Sequence, residues 1–401
     1  MGKSKLSIAL VLVVMLVTVI TACSQPAPAP SPAPAPAPSP APSPAPKPAP
    51  APAPSPAPSP APSPSPAPAP APAPSNVTVT WRYATPTRTG SPMGDGLQAW
   101  IKTLLDASGG RFKIDYYGDQ ALGKQAEIYD VVIEGVADIG QTSMGPYTGR
   151  FPLAQVYALP MIVPDANVGS QALQTLVDTV PEVNKEFFET VPLYFHVVGT
   201  RHLITASRPV RTVSEMKGMK LRVTDAVSAD VVKLLGAVPV NMDPYETYSS
   251  IERGILDGVL FEWGAVHAFK IAEVAAYSTT LGISTSGQGI WVNKDSLAKL
   301  PADLKKVLMD VSGPAGAKQA GKFLEDGEVT YREESVNMGM QIITPTRVEK
   351  QRFVDAVTPL WDTWANELEA KGKPGKAVLQ QWLDIVAKTI EANKGSSPVL
   401  P

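Results

Sequence analysis

The chain has 401 residues, 35 of them Lys or Arg and 37 Asp or Glu, for a net charge of −2. Lys3, Lys5 and Lys47 are the only charged residues before position 76, so 32 basic residues face all 37 acidic ones beyond it, a balance that excludes a nucleic-acid footprint. One cysteine, Cys23, and three histidines, His196, His202 and His267, in no HxxxH or HExxH spacing, give no disulfide, no thiol nucleophile and no metal cluster in the folded part, and no cofactor is expected.

Lys3 and Lys5 precede an apolar run, residues 6–20 (LSIALVLVVMLVTVI), then Thr21-Ala22 and Cys23. The run is short for a membrane span, which takes about 20 residues, and has the three-part form of a secretory signal over residues 1–22. Ile20-Thr21-Ala22-Cys23 resembles a bacterial lipobox, which implies a diacylated Cys23 as the mature N-terminus. The bland alternative is an uncleaved N-terminal anchor. Either reading places the remainder at the outer face of the cytoplasmic membrane.

From 26 to 74 every even-numbered residue is proline, separated by Ala, Ser and Lys47. Proline lacks an N–H and fixes φ, so neither helix nor sheet forms there. Extended polyproline II at about 3.1 Å per residue reaches roughly 150 Å. Residues 23–75 are therefore read as a lipidated cysteine and a disordered tether, without a binding role of its own.

Residues 77–83 (VTVTWRY) alternate as a strand does. Residues 92–108 show helical spacing through Met93, Leu97, Trp100, Ile101, Leu104 and Leu105, stopped by Gly109-Gly110. A strand at 111–117, a helix at 126–134 ending at Gly135 and a buried strand at 137–142 follow. The alternation continues through 193–198, 203–206, 219–223, 226–235, 238–241, 245–254 and 258–261, which predicts α/β layers. Beyond Pro301 the pattern is helical, interrupted by a strand near 340–343 and by Lys373-Pro374-Gly375.

Seven short motifs in order carry a resemblance. Gly109-Gly110-Arg111-Phe112-Lys113-Ile114, with Ala121-Leu122-Gly123, Glu127, Glu134-Gly135 and Ala137-Asp138-Ile139, is the first. Ala158-Leu159-Pro160, Gly199-Thr200-Arg201, the 216–223 segment MKGMKLRV, Gly236-Ala237-Val238-Pro239, Leu256-Asp257-Gly258 and Trp291-Val292-Asn293-Lys294 follow. Together, over about residues 77–385, they resemble the DctP-type solute-binding proteins of tripartite ATP-independent periplasmic (TRAP) transporters. The resemblance implies a two-lobed periplasmic-binding-protein-like fold that closes on a small organic acid. Lobe I would comprise 76–198 and 287–326, lobe II 199–286 and 327–395. The implied partners are the TRAP membrane subunits; nucleic acid is not a partner.

Arg222 matches the family arginine that forms a two-pronged ion pair with the ligand carboxylate, a task suited to a planar guanidinium. Arg201 matches a second arginine position, against the reading of an ordinary surface arginine. Phe261 stands where several family members carry a polar ligand contact, which puts heavily hydroxylated ligands in doubt. Phe261 and Trp263 either line the crevice, favouring an apolar or aromatic acid, or pack in the core. Glu262 beside Arg222 would oppose an anion unless it meets an amine or hydroxyl. Gln288 offers a polar contact near a lobe crossing, and Thr142, Ser143, Met144 and Tyr147 match the family loop on the opposite lobe.

A hydrolase would need a nucleophile and base, and the chain has no G-x-S-x-G motif and few histidines; it is not read as an enzyme. A binding protein that presents its acid to a membrane receptor remains the alternative to transport.

Overall fold

The computed structural model describes residues 76–147 and 149–394. The export signal, the lipobox cysteine and the proline tract fall outside the described residues.

Elements alternate in the first half: β1 (Val79–Ala84), α1 (Pro92–Ala107), β2 (Phe112–Tyr117), α2 (Ile128–Ile133), β3 (Ile139–Ser143), α3 (Ala166–Thr179), α4 (Pro181–Asn184) and β4 (Val191–Val197). Next come β5 (His202–Thr205), β6 (Lys220–Val223), α5 (Ala226–Leu234), β7 (Val238–Asn241), α6 (Thr247–Glu252), β8 (Gly258–Phe261), α7 (Trp263–Ala268) and β9 (Tyr277–Thr279). The described residues end with β10 (Gly287–Val292), α8 (Lys294–Lys299), α9 (Ala302–Asp310), α10 (Gly313–Asn337), β11 (Gln341–Ile343), α11 (Arg347–Val357), α12 (Pro359–Ala370) and α13 (Gly375–Ala392).

Among the described residues the strands form two sheets, ordered β2-β1-β3-β10-β4 and β11-β9-β5-β8-β6-β7. This is the expected α/β fold of two lobes. β10 enters the first sheet antiparallel to both β3 and β4, and β5 is antiparallel to both β8 and β9 in the second. Two chain crossings join the sheets side by side: Arg201 N–H donates to Ser284 O at 2.8 Å and Ile283 N–H to Arg201 O at 3.0 Å.

Local chemistry sets the boundaries. Ser91 caps α1 by accepting from Gly94 N–H, Pro92 supplies a fixed φ in the first turn, and Leu97, Trp100 and Leu104 turn inward. Each such large apolar side chain, fully buried, contributes about 1.5–3 kcal/mol. Gly109 and Gly110 end the helix at φ of 63° and 79°, a region open to glycine. The expected helix over 126–134 is shorter. Glu127 accepts from Lys124 N–H at 2.8 Å, holding a turn before α2 begins at Ile128.

α10 spans both layers, and two of its buried carboxyls mark the span. Glu325 accepts from Ala166 N–H at the start of α3 at 2.8 Å. One turn on, Glu328 accepts from Trp263 N–H at 3.0 Å and Gly264 N–H at 2.9 Å at the start of α7. The last three helices also touch both sides: α11 packs near α5, while α13 lies on α3 and Trp361 Nε1 donates to Pro160 O at 2.9 Å.

Candidate ligand crevice

A cavity with about 970 Å³ of empty space, part of it open to solvent, lies between the two sheets. Its walls come from the loop after β1, the ends of β3, β6 and β8, the crossings, α7 and α10.

Arg222 reaches it from β6. The residue is 5% exposed, and its Nε donates to Met242 O at 3.2 Å. Its guanidinium carbon stands 5.2 Å from the centre of the Phe261 ring, an arrangement that fixes the planar fork. Burial, then the neighbouring Arg201 charge, lowers its proton affinity to about 9, against the pull of Asp225, Asp243 and Glu262. Such a group remains protonated at neutral pH and is stabilised by an anion.

Arg201 occupies the crossing between β4 and β5. One terminal nitrogen is 3.9 Å from Asp225 Oδ2, at the edge of ion-pair range, and its buried Nε has no partner among the described residues. Asp225 is already engaged as the cap of α5, accepting from Ser228 N–H at 2.7 Å. A buried guanidinium edge without an acceptor is costly and rare.

An aromatic wall faces these cations. Phe261 stacks on Phe269 with centroids 5.7 Å apart, and Tyr245 meets Phe269 edge-on at 5.4 Å. Pro86, Pro92, Met93, Ala265 and Leu324 complete the apolar surface. Arg88, from the loop after β1, lies 5.2 Å from the Tyr245 ring centre and donates to Ala268 O at 3.0 Å. The Tyr245 hydroxyl donates to Pro86 O at 2.9 Å, tying the two sides together.

The polar floor belongs to the first sheet. Gln288 accepts from Gln141 Nε2 at 2.9 Å, and Gln141 Oε1 accepts in turn from Thr85 and Thr87. The Ser143 and Ser286 hydroxyls are 3.1 Å apart. Glu262 borders the cavity beside the arginines. Burial raises its pKa, and the charges of Arg201 and Arg222 partly offset this.

Of the residues singled out in the sequence, Arg222, Arg201, Phe261, Glu262, Gln288 and Ser143 come together on this surface. Three do not. Thr142 points to the other face of β3 and donates to Gln125 O at 2.8 Å. The Tyr147 hydroxyl donates to the same carbonyl at 2.9 Å and accepts from Tyr129 N–H; it holds Gln125, which lines the cavity. Trp263 is fully buried in the apolar layer of the second sheet, with His202 at 5.4 Å. Sequence reasoning missed Arg88, Tyr245, Phe269 and Glu328. A signal existed for Arg88: it follows the C-terminal end of a parallel strand, where open α/β sheets bind ligands.

Among the described residues no group of His, Cys, Asp or Glu is arranged to hold a metal, and no helix is long and apolar enough to cross a membrane.

The sequence profile of DctP, the bacterial extracellular solute-binding protein family 7, matches residues 83–367. A TRAP solute-binding protein from Rhodoferax ferrireducens, solved with copurified benzoate, superposes with a TM-score of 0.76 at 25% identity, covering 79% of this chain and 99% of that one. A marine metagenome TRAP protein specific for aromatic acids, solved with 3-hydroxybenzoate, gives 0.76 at 26% identity over 78% and 99%. The ectoine/5-hydroxyectoine-binding periplasmic protein of Ruegeria pomeroyi is 24% identical over 327 residues, 77% of this chain and 91% of the relative.

Proposed function

The chain belongs to the DctP family of bacterial extracellular solute-binding proteins, and from that premise we propose that its crevice captures a small aromatic monocarboxylate for a TRAP transporter in the membrane. The family is one of substrate-binding receptors rather than enzymes. One observation carries the ligand reading: two buried guanidiniums, Arg222 and an Arg201 whose Nε has no partner among the described residues, line a cavity whose wall is Phe261, Phe269 and Tyr245.

A carboxylate suits the Arg222 fork because its two oxygens match two parallel N–H donors. The orphaned Arg201 Nε supplies a further donor. An aromatic body then lies against the ring wall, where offset or edge-on contacts add about 0.5–1.5 kcal/mol beyond burial. A sugar acid fits less well, since several hydroxyls would face carbon and lose their hydrogen bonds to water. Glu262 and Gln288 favour a ligand with one added hydrogen-bonding group, such as a ring hydroxyl. The relatives solved with benzoate and 3-hydroxybenzoate support the same class.

The finer placement is also part of this proposal: export through residues 1–22, lipidation at Cys23, and a proline-rich tether to the receptor lobes at the outer face of the cytoplasmic membrane. The lobe division at 198/199, 286/287 and 326/327 is part of it too; the first two boundaries fall at the crossings between the sheets and the third within α10. Thermal-shift screening of the receptor region against benzoate, hydroxybenzoates, mandelate, short dicarboxylates and hexuronates tests the ligand class. Stabilisation by the aromatic acids is expected. Stabilisation by hexuronates alone would overturn the reading.

A further inference from the structure

Glu328 belongs to the cavity wall, yet it sits on α10 and takes both its hydrogen bonds from the backbone at the start of α7. It also presses on the crossing between the sheets. A Cβ placed on Gly199 would stand 2.4 Å from its carboxyl carbon. Glu262, the residue before α7, shares the wall, and no hydrogen bond from another side chain reaches its carboxyl among the described residues. Two carboxyls thus border a space that is otherwise built for an anion.

The charge count makes this consequential. Arg88, Arg201 and Arg222 line the cavity; Glu262 and Glu328 line it too, and Asp225 meets Arg201. With all six ionised the set is neutral. An arriving carboxylate leaves one uncompensated negative charge in a space that loses water on closure, where charge is expensive. Protonating one carboxyl restores neutrality. We propose that the cavity takes up one proton together with its carboxylate ligand, and that Glu328 and Glu262 are the pair that receives it. This rests on the capture reading above and adds its regulation.

Groups on every side of the pair agree. Glu325, one turn earlier on α10, repels Glu328, as Glu262 does; Tyr331, a turn later, faces Asp95 of α1 and the same carboxyl. Arg201 and Arg222 act on Glu262 from the strand side. Burial, then Glu262, pushes Glu328 up to about 8, against its two backbone N–H bonds. Protonated Glu328 retains an acceptor lone pair for α7, so the structure need not break to take the proton. Below about pH 8 the pair already holds its proton and the cavity is ready for an anion. Above it, the ligand and the proton must arrive together, and affinity falls up to tenfold per pH unit.

The test uses calorimetric titration of the receptor with benzoate, fully ionised throughout, at pH 8.5 in two buffers of different ionisation enthalpy. Uptake approaching one proton is expected. So is a loss of affinity between pH 7.5 and 8.5, largely below the titration of Arg222 near 9, that is diminished in Glu328→Gln and smallest in the double variant with Glu262→Gln. Infrared difference spectra of the wild type, with and without benzoate, give a second readout independent of the variants: a protonated-carboxyl band gained on binding. Benzoate binding with no proton uptake and no new band overturns the inference while capture stands. Uptake that persists in the double variant assigns the proton to the arginines and also overturns it. Absence of carboxylate binding from pH 6 to 9 overturns capture, and this inference with it.

Discussion

Replacing Arg222 by alanine removes the guanidinium that stands against the Phe261 ring in the cavity. Burial and the neighbouring Arg201 charge lower its pKa well below the usual guanidinium range, to about 9, so the cavity destabilises the charge that a bound anion would compensate. Truncating one partner of such a pair costs about 2–5 kcal/mol. Affinity for benzoate in Arg222→Ala should fall roughly 30-fold to several thousandfold, since each 1.4 kcal/mol is tenfold. Arg222→Lys keeps a charge but loses the bidentate fork and the stack on Phe261, and should bind nearly as poorly. Arg222→Met fills the same volume without a desolvated charge, so the ligand-free protein should unfold at an equal or higher temperature while binding is lost. Calorimetric titration of the three variants, with circular dichroism as the control for folding, reads these outcomes. Near-wild-type affinity in a folded Arg222→Ala would refute the reasoning.

Three further outcomes are expected. Glu325 is raised to about 7, Glu186 to about 7 and Glu328 to about 8, each chiefly by burial, so the folded state holds protons the unfolded state has released. Their contribution is full below the unfolded value near 4.5 and declines as pH rises toward 7–8. Buried His196 and His202, both lowered to about 4, act in the opposite direction below 6.5. The ligand-free unfolding temperature, followed by calorimetry, should therefore decline from pH 6.5 to 8.5, and Glu325→Gln should flatten that slope. Gly199→Ala drives a methyl into the held Glu328 carboxyl, an overpacking that costs about 1–3 kcal/mol; denaturant melts should show it, together with weaker ligand binding. Cys23→Ala should leave the protein exported and free of lipid, and detergent-phase partitioning equal to wild type would contradict the anchor.

The layered fold was legible because period-2 and period-3.6 segments alternate and glycines such as Gly109-Gly110 punctuate them. The crossings came only through family resemblance, and the antiparallel entry of β10 was not foreseen, since residues 287–292 (GQGIWV) carry nothing local that names their neighbours. Within the site, adjacent residues separate by geometry. Gln141 and Ser143 face the cavity side of β3 and Thr142 the other, as pleating requires. Phe261 and Trp263 would share a face in a continuing strand. Instead Glu262, still extended, is the cap of α7, the helix starts at Trp263, and Trp263 turns inward. Tyr245 and Phe269 belong to short irregular segments without periodicity, and Glu328 looks in sequence like one more acid on a charged helix face. Its role depends on which helix start α10 meets, a fact of tertiary packing.

The place of β10 in the first sheet bears on how the chain is made. β3 and β4 each pair with β10, which lies roughly 90 residues beyond the end of β4, about 5–20 s of synthesis at ordinary rates. During that interval a nascent lobe would present two open strand edges, a template for pairing with other chains. The inserted strand closes the seam only after most of the second sheet has emerged. Folding of the first sheet is therefore dominated by long-range pairing and correspondingly slow. A fragment ending before residue 287 should be insoluble however good its local propensities, whereas a circular permutant that moves 287–292 next to β4 should acquire its first sheet early and refold faster.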